Sequence, residues 1–332
     1  MSFPVSTKAT PDRDTSLDYA ISEPEVAVII PCYNEELNIE KVVRDFQASL
    51  PDASIYVFDN NSDDRTAEIA LQSGAIVRMV YNKGKGNVIR RMFADVDADV
   101  YVMVDGDDTY DATSAPIMVE KLISEQLDMV VGVRIAEEKL AYRSGHRFGN
   151  RMLTGFANMI FGRSFNDMLS GYRVFSKRFV KSFPAFATGF ETETEITVHA
   201  LELKMPVAEV DTKYGARAEN SESKLRTYRD GFRILKMILT LFKTERPFAF
   251  FGIIALIFAL LSVGIFIPVL VTYIRTGLVP RLPTATLSMG LMLVAIINLF
   301  IGIILDAVTR SRREMKKLSY LSVPHFSVRK RL

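Results

Sequence analysis

Asp105-Gly106-Asp107-Asp108 follows directly on the apolar run Val100-Tyr101-Val102-Met103-Val104. A buried strand therefore delivers carboxylates to its C-terminal tip, and ligands of open α/β sheets bind outside such strand ends. Two Asp separated by one Gly can turn toward a single hard cation, which as Mg²⁺ or Mn²⁺ is met through oxygen ligands and substrate phosphates. Asp107 is the leading metal ligand and Asp105 the second. Such a cation would neutralise charge developing on a diphosphate leaving group. Two further strand-like runs also end in polar clusters. Val26–Ile30 leads into Pro31-Cys32-Tyr33-Asn34-Glu35-Glu36, and Ile55–Phe58 leads into Asp59-Asn60-Asn61-Ser62-Asp63-Asp64. Parallel strands place their C-terminal ends on one edge, so the three clusters are expected to converge, which suits a nucleotide. Tyr33 would stack on a base, Asn34 or Asp59 would accept hydrogen bonds from it, and Asp105 would take a ribose hydroxyl. The basic, glycine-rich loop Lys83-Gly84-Lys85-Gly86-Asn87 suits a phosphate.

The elements that must position these residues are legible as alternation. Helices are expected near 37–50, near 65–73 and up to Phe93, between strands at 26–30, 55–58, 76–80 and 100–104. That order gives an α/β class with a doubly wound, mostly parallel sheet covered on both faces, and the strands are continuously apolar, as two-sided burial requires. Gly84-x-Gly86 lacks a third glycine and follows the third strand, so it is not a dinucleotide fingerprint, and no P-loop is present. The 332-residue chain carries a net charge of +2, and no nucleic-acid partner is expected. A single cysteine, Cys32, excludes intramolecular disulfides and Cys-rich zinc sites. Residues 1–25 are polar, lack the apolar core of a signal peptide and are expected to form a flexible arm; residues 26–222 form the expected catalytic domain.

The C-terminal third is of another kind. The 27 residues Phe248–Ile274 and the 24 residues Leu282–Leu305 contain no Lys, Arg, Asp or Glu, and each exceeds the roughly 20 residues that cross a bilayer. Joined by Arg275–Arg281, they read as a transmembrane hairpin within 247–308. Lys224–Arg246 holds seven Lys or Arg and Arg310–Leu332 eight, against two in the connecting loop. The positive-inside bias then puts both flanks, the catalytic domain and both termini in the cytoplasm. Between 223 and 246, apolar residues recur at helical spacing opposite a basic face, the pattern of an amphipathic helix lying in the membrane interface. The basic tail, 309–332, is expected to meet anionic headgroups through residues including Arg312, Arg313, Lys316 and Lys317.

The ordered series Ile30-Pro31-Cys32-Tyr33-Asn34-Glu35-Glu36, Asp59-Asn60-Asn61-Ser62, Lys83-Gly84-Lys85-Gly86-Asn87 and Asp105-Gly106-Asp107 resembles the family 2 glycosyltransferases of GT-A fold. Asp167-Met168-Leu169-Ser170-Gly171-Tyr172-Arg173 looks like that family's acceptor-side segment, and Gly189–Glu195 like the helix start that follows. Arg217 with Ser223-Lys224-Leu225 is similar to the signature of the branch that loads sugars onto polyprenyl phosphates. The resemblance covers roughly 26–242. It implies an inverting transferase with Pro31, Tyr33, Asn34, Glu35, Asp59, Lys85 and Asp105 around the nucleotide. Asp167, Glu193 and Glu195 fall on the sugar or acceptor side. Two positions depart from the family pattern: Asn60 replaces the second of a usual Asp pair, and Thr109 stands where a further metal ligand is common, leaving Asp108 or water to complete the shell.

The acceptor chemistry follows from charge. A phosphate monoester is largely dianionic at neutral pH, its second pKa being about 6, so it can attack an anomeric carbon without a strong base, and positioning dominates. Cations must bring it beside a diphosphate, and Arg173, Arg217 and Lys224 are expected to do so with a hydrogen bond from Ser223. Lys224 also opens the interfacial helix, at headgroup height. A processive polysaccharide synthase is excluded, because its Gln-x-x-Arg-Trp motif needs a Trp and the chain has none. UDP-glucose is the first expectation for the donor, with GDP-mannose and UDP-N-acetylglucosamine as alternatives. A homo-oligomer and a catalytically inactive nucleotide-binding scaffold remain open.

Overall fold

A computed structural model describes residues 24–136, 155, 165–185, 192–215, 236 and 239–325. Among the described residues seven strands form one sheet: β1 (Val26–Cys32), β2 (Ser54–Asp59), β3 (Ile76–Met79), β4 (Val100–Met103), β5 (Met129–Ala136), β6 (Arg173–Ser176) and β7 (Val207–Tyr214). The strand order is β3-β2-β1-β4-β6-β5-β7. Helices α1 (Ile39–Ser49), α2 (Thr66–Gln72), α3 (Lys85–Asp95), α4 (Ala115–Ser124), α5 (Lys177–Ser182) and α6 (Thr192–Glu202) surround it.

Strand periodicity explains the layering. Ala27, Ile29, Tyr101 and Met103 face one core with Ile89, Met92 and Phe93 of α3 and Phe179 of α5. The intervening Val28, Ile30, Val100 and Val102 face the other, with Val42, Val43 and Phe46 of α1 and Met118 and Leu122 of α4. Both sides of the strands are dry, which is why the runs are apolar without alternation. The expected sheet is correct in its first four strands, which pair in parallel. Beyond β4 the sheet is mixed, because β6 runs antiparallel to both β4 and β5. That reversal matters for the site. It sets Arg173, the first residue of β6, opposite Met103, so the turn before β6 lands at the acidic tip of β4.

Two long helices follow, α7 (Pro247–Thr276) and α8 (Leu282–Leu321), both long and apolar enough to cross a membrane. Gly277 closes α7 with φ +67 and donates its N–H to the Tyr273 carbonyl, a left-handed cap that glycine adopts without steric cost. Their shared seam buries Ala255, Ser262 and Val269 against Ser288, Ala295, Gly302 and Thr309. The seven-residue spacing keeps one stripe of small side chains facing the partner helix. At its centre the bonds are reciprocal: Ser262 Oγ donates to the Ser288 carbonyl at 2.7 Å, and Ser288 Oγ to the Ser262 carbonyl at 3.1 Å. Away from the seam, large apolar side chains such as Leu260, Leu293 and Ile304 are exposed.

The interfacial-helix segment falls mostly outside the described residues, within which residues 239–245 are helical. The basic tail is not simply a headgroup-binding segment, because α8 continues to Leu321 and turns Arg313 and Lys316 onto Glu202 of α6. A buried carboxylate at the end of α6 outcompetes solvent for those two cations.

Candidate active site

The β1, β2 and β4 tips converge as their parallel pairing requires. Cys32 pairs in register with Asp59, and Ile29 with Met103. The Cys32 thiol, buried beneath the tips, is pushed well up, first by burial and then by Glu35, Asp59, Asp105 and Asp107 together. Four carboxylates from three strand ends thus act on one sulfur. Gly106 lies directly on it; a Cβ there would meet Cys32 Sγ at 2.6 Å, so only glycine lets the acidic loop pack down.

The first two loops are laced together. The Asn34 backbone N–H donates to Ser62 Oγ and Glu35 N–H to Thr66 Oγ1, while Asn34 Oδ1 accepts from Asp63 N–H. Asp59 is buried and accepts from the backbone N–H and hydroxyl of Ser62, which holds the β2–α2 loop. Pro31 pairs with Phe58 in the strand register. Tyr33 stands at the rim with Lys83 Nζ 5.0 Å from its ring centroid. Asn60 shows why the family's second aspartate is replaced. Its amide donates to the Val80 and Asn82 carbonyls and its oxygen accepts from Gly84 N–H, and a carboxylate has no donors for the first two.

Lys85, at the start of α3, reaches into the centre. Its Nζ lies 2.7 Å from Asp105 Oδ1 and 2.5 Å from Glu193 Oε1. Burial alone would lower its pKa, but the two carboxylates outweigh that and raise it. Glu193, on the first turn of α6, is buried, and its Oε2 has no hydrogen-bond partner among the described residues. Such an orphaned acceptor at a strand-tip cluster is a position for a hydroxyl donor. Glu195 follows on the same turn and is partly exposed.

Asp107 is 5% exposed. Thr109 donates to its Oδ1 from both hydroxyl (2.6 Å) and backbone (3.3 Å), so Thr109 orients the carboxylate rather than substituting for a ligand. Asp108, the other candidate for the shell, is paired with Lys41 at 2.6 Å. Among the described residues no group of three His, Cys, Asp or Glu surrounds a metal position. The oxygen pair Asp105/Asp107 nonetheless fits Mg²⁺ or Mn²⁺, which bind through one or two carboxylates with the remaining positions taken by phosphate and water.

Arg173 is a correction. It is fully buried and its guanidinium donates to the Ser170 and Met168 carbonyls and to Thr197 Oγ1. Burial pulls its pKa down to about 10, opposed by Glu193 and Asp167. Arg173 therefore fixes the turn before β6, its guanidinium bonded to protein oxygens rather than left free for a phosphate. Asp167 is likewise engaged: both of its oxygens receive Arg134, at 2.6 and 2.8 Å. Arg134 went unnoticed in the sequence; its signal was a lone cation at the end of the apolar strand Met129–Val133. Arg217, Ser223 and Lys224 lie outside the described residues. Gly215, the last described residue before them, donates its N–H to the Thr109 carbonyl, beside the Asp105–Asp107 loop.

A half-sheet of parallel strands whose tips bring Asp59, Asp105, Asp107 and Lys85 together has the architecture of a GT-A-type transferase. Residues 27–183 match Glycosyl transferase family 2. Glycosyltransferase AglJ of Haloferax volcanii is 32% identical over 297 residues, covering 88% of this chain and 96% of its own. The chain belongs to glycosyl transferase family 2 and is a glycosyltransferase. Protein RfbJ of Shigella flexneri is 63% identical over 123 residues, 37% of this chain and 95% of its own. The dolichyl-phosphate hexose transferase of Haloferax volcanii is 28% identical over 222 residues, 67% of this chain and 96% of its own. Among solved structures, Mycobacterium tuberculosis glucosyl-3-phosphoglycerate synthase with Mn²⁺ and UDP-glucose superposes at a TM-score of 0.53 with 22% identity. It covers 66% of this chain and 78% of that one, a likeness of fold.

Proposed function

We propose that the protein transfers a hexose, with inversion, from a nucleotide-sugar to a polyprenyl phosphate at the cytoplasmic face of a membrane, UDP-glucose being the first donor to test. The observation that carries this reading is the joining of the Lys85/Asp105/Asp107 cluster to two bilayer-length helices in one chain. The lipid-phosphate specificity named for the Haloferax volcanii relative supports it. Asp107 and Asp105 would hold Mg²⁺ or Mn²⁺, whose chemistry is to stabilise charge on the departing diphosphate. Lys85 adds a fixed positive charge on the diphosphate side, and Glu193 Oε2 accepts a sugar hydroxyl. Tyr33 and Asp59 frame the base and ribose. The acceptor phosphate, already dianionic, is brought in by Arg217, Ser223 and Lys224 and needs no residue to remove a proton. Its oxygen forms the new bond to the anomeric carbon as the bond to the nucleoside diphosphate breaks. Screening purified protein in lipid nanodiscs with UDP-glucose, GDP-mannose and UDP-N-acetylglucosamine against undecaprenyl phosphate tests the proposal. Nucleoside diphosphate release that requires the lipid supports it, and release indifferent to the lipid overturns it.

A further inference from the structure

The second long helix does not end where its apolar segment ends. Past Leu305 it runs another 16 residues to Leu321, roughly 24 Å at 1.5 Å per residue. This extension lies against the catalytic domain. Arg313 Nε donates to Glu202 Oε1 at 3.1 Å, and its Nη2 donates to the Glu245 carbonyl at 2.7 Å and reaches Glu245 Oε2 at 3.2 Å. Lys316 Nζ meets the other Glu202 oxygen at 2.7 Å. A turn further on, Tyr320 donates its hydroxyl to Asp128 Oδ2 at 2.8 Å and lies under the Arg178 guanidinium. The Glu202 side chain is only 2% exposed, so these are desolvated contacts rather than rim pairs.

Arg313 therefore ties three elements at once: the second long helix, the end of the helical segment 239–245 that leads into the first, and the C-terminal end of α6. That helix is 11 residues long and carries Glu193, the site carboxylate, at its other end. We propose that Arg313 is a positioning residue, and that α8 beyond Leu305 is a rigid strut setting the height and tilt of the catalytic cluster over the membrane surface. The proposal rests on the lipid-phosphate reading above for its functional consequence. A domain hinged on a loose linker would present its site at many heights. The strut confines it to the one at which a phosphate anchored in the bilayer meets the donor, and a misplacement of about 1 Å can cost on the order of 100-fold in rate.

The test compares Arg313→Met and Arg313→Lys with the unaltered chain in lipid nanodiscs, using a long-chain polyprenyl phosphate in the bilayer and a water-soluble short-chain prenyl phosphate. Arg313→Met should lose about tenfold or more of kcat/KM on the membrane acceptor while staying within about twofold on the soluble one, with Arg313→Lys partly restoring the difference. Equal loss on both acceptors, or no loss on either, overturns the strut. A second measurement stands apart from the chemistry. Cys32 is buried, so a cysteine introduced as Leu71→Cys takes a fluorophore selectively, and energy transfer to headgroup-labelled lipid reports the height of the domain. The distance distribution should be narrow in the unaltered chain and broad in Arg313→Met. An unchanged distribution overturns the strut even if neither prenyl phosphate proves to be an acceptor, an outcome that would count against the lipid reading alone.

Discussion

Lys85 Nζ sits 2.7 Å from Asp105 Oδ1, so the first residue of α3 occupies one of the two carboxylates that also suit a divalent metal. A metal held there would compete with Lys85 for the same oxygens until a diphosphate brought its own negative charge. Replacing Lys85 with Met should therefore strengthen Mn²⁺ binding to the nucleotide-free protein and weaken binding of UDP. Each effect should be about tenfold, the equivalent of 1.4 kcal/mol, and titration of Mn²⁺ by electron paramagnetic resonance with calorimetry for UDP reads both. Weaker Mn²⁺ binding in the variant would show that Lys85 supports the metal instead of opposing it.

Thr109 holds Asp107 through two donors, and groups that orient a metal ligand matter nearly as much as the ligand. Thr109→Val keeps the volume and backbone N–H but removes the hydroxyl. Metal affinity should fall about 10- to 100-fold with the unfolding midpoint little changed.

Gly171 packs against the Asp105 carboxylate, where a Cβ would come 2.9 Å from Asp105 Cγ. Asp105 is already pinned by Lys85, so Gly171→Ala must displace the carboxylate from its place at the β4 tip. Transfer activity should collapse while far-ultraviolet circular dichroism stays that of the unaltered chain.

His199 gives a pH dependence of stability. Burial, then the charge of Lys316, lowers its pKa from the usual 6.5 to about 3; Nε2 meets Ser182 Oγ and Nδ1 has no partner among the described residues. Between those values the unfolded chain binds a proton that the folded one does not, so stability is fully present above pH 6.5 and is lost as pH falls toward 3. The total is on the order of 4–5 kcal/mol. Denaturation midpoints measured from pH 7 to 4 should fall more steeply for the unaltered chain than for His199→Phe; parallel curves would show that His199 is not the group responsible.

Much of this was legible because it rests on local pattern. Apolar runs ending in Asp59 and Asp105 announced parallel strands with a polar edge, and the two long uncharged segments announced the helical hairpin. What escaped depends on partners distant in sequence. Arg173 reads as an available cation until the antiparallel β6 buries it among the Ser170, Met168 and Thr197 oxygens. The Lys85–Glu193 pair joins residues on separate helices, and no spacing rule links them. The tail of α8 read as a headgroup-binding segment because Glu202, which claims Arg313 and Lys316, is remote in sequence.

In the proposed reaction one site joins a nucleotide-sugar to a lipid phosphate at Asp107. The most direct measurement is UDP release from UDP-glucose by the protein in nanodiscs, with and without undecaprenyl phosphate and divalent cation, beside Asp107→Ala. Release is expected only when lipid and cation are both present, with a loss of at least about 1,000-fold in the variant, about 4 kcal/mol of transition-state stabilisation. Release that persists without the lipid, or that survives Asp107→Ala, would contradict it.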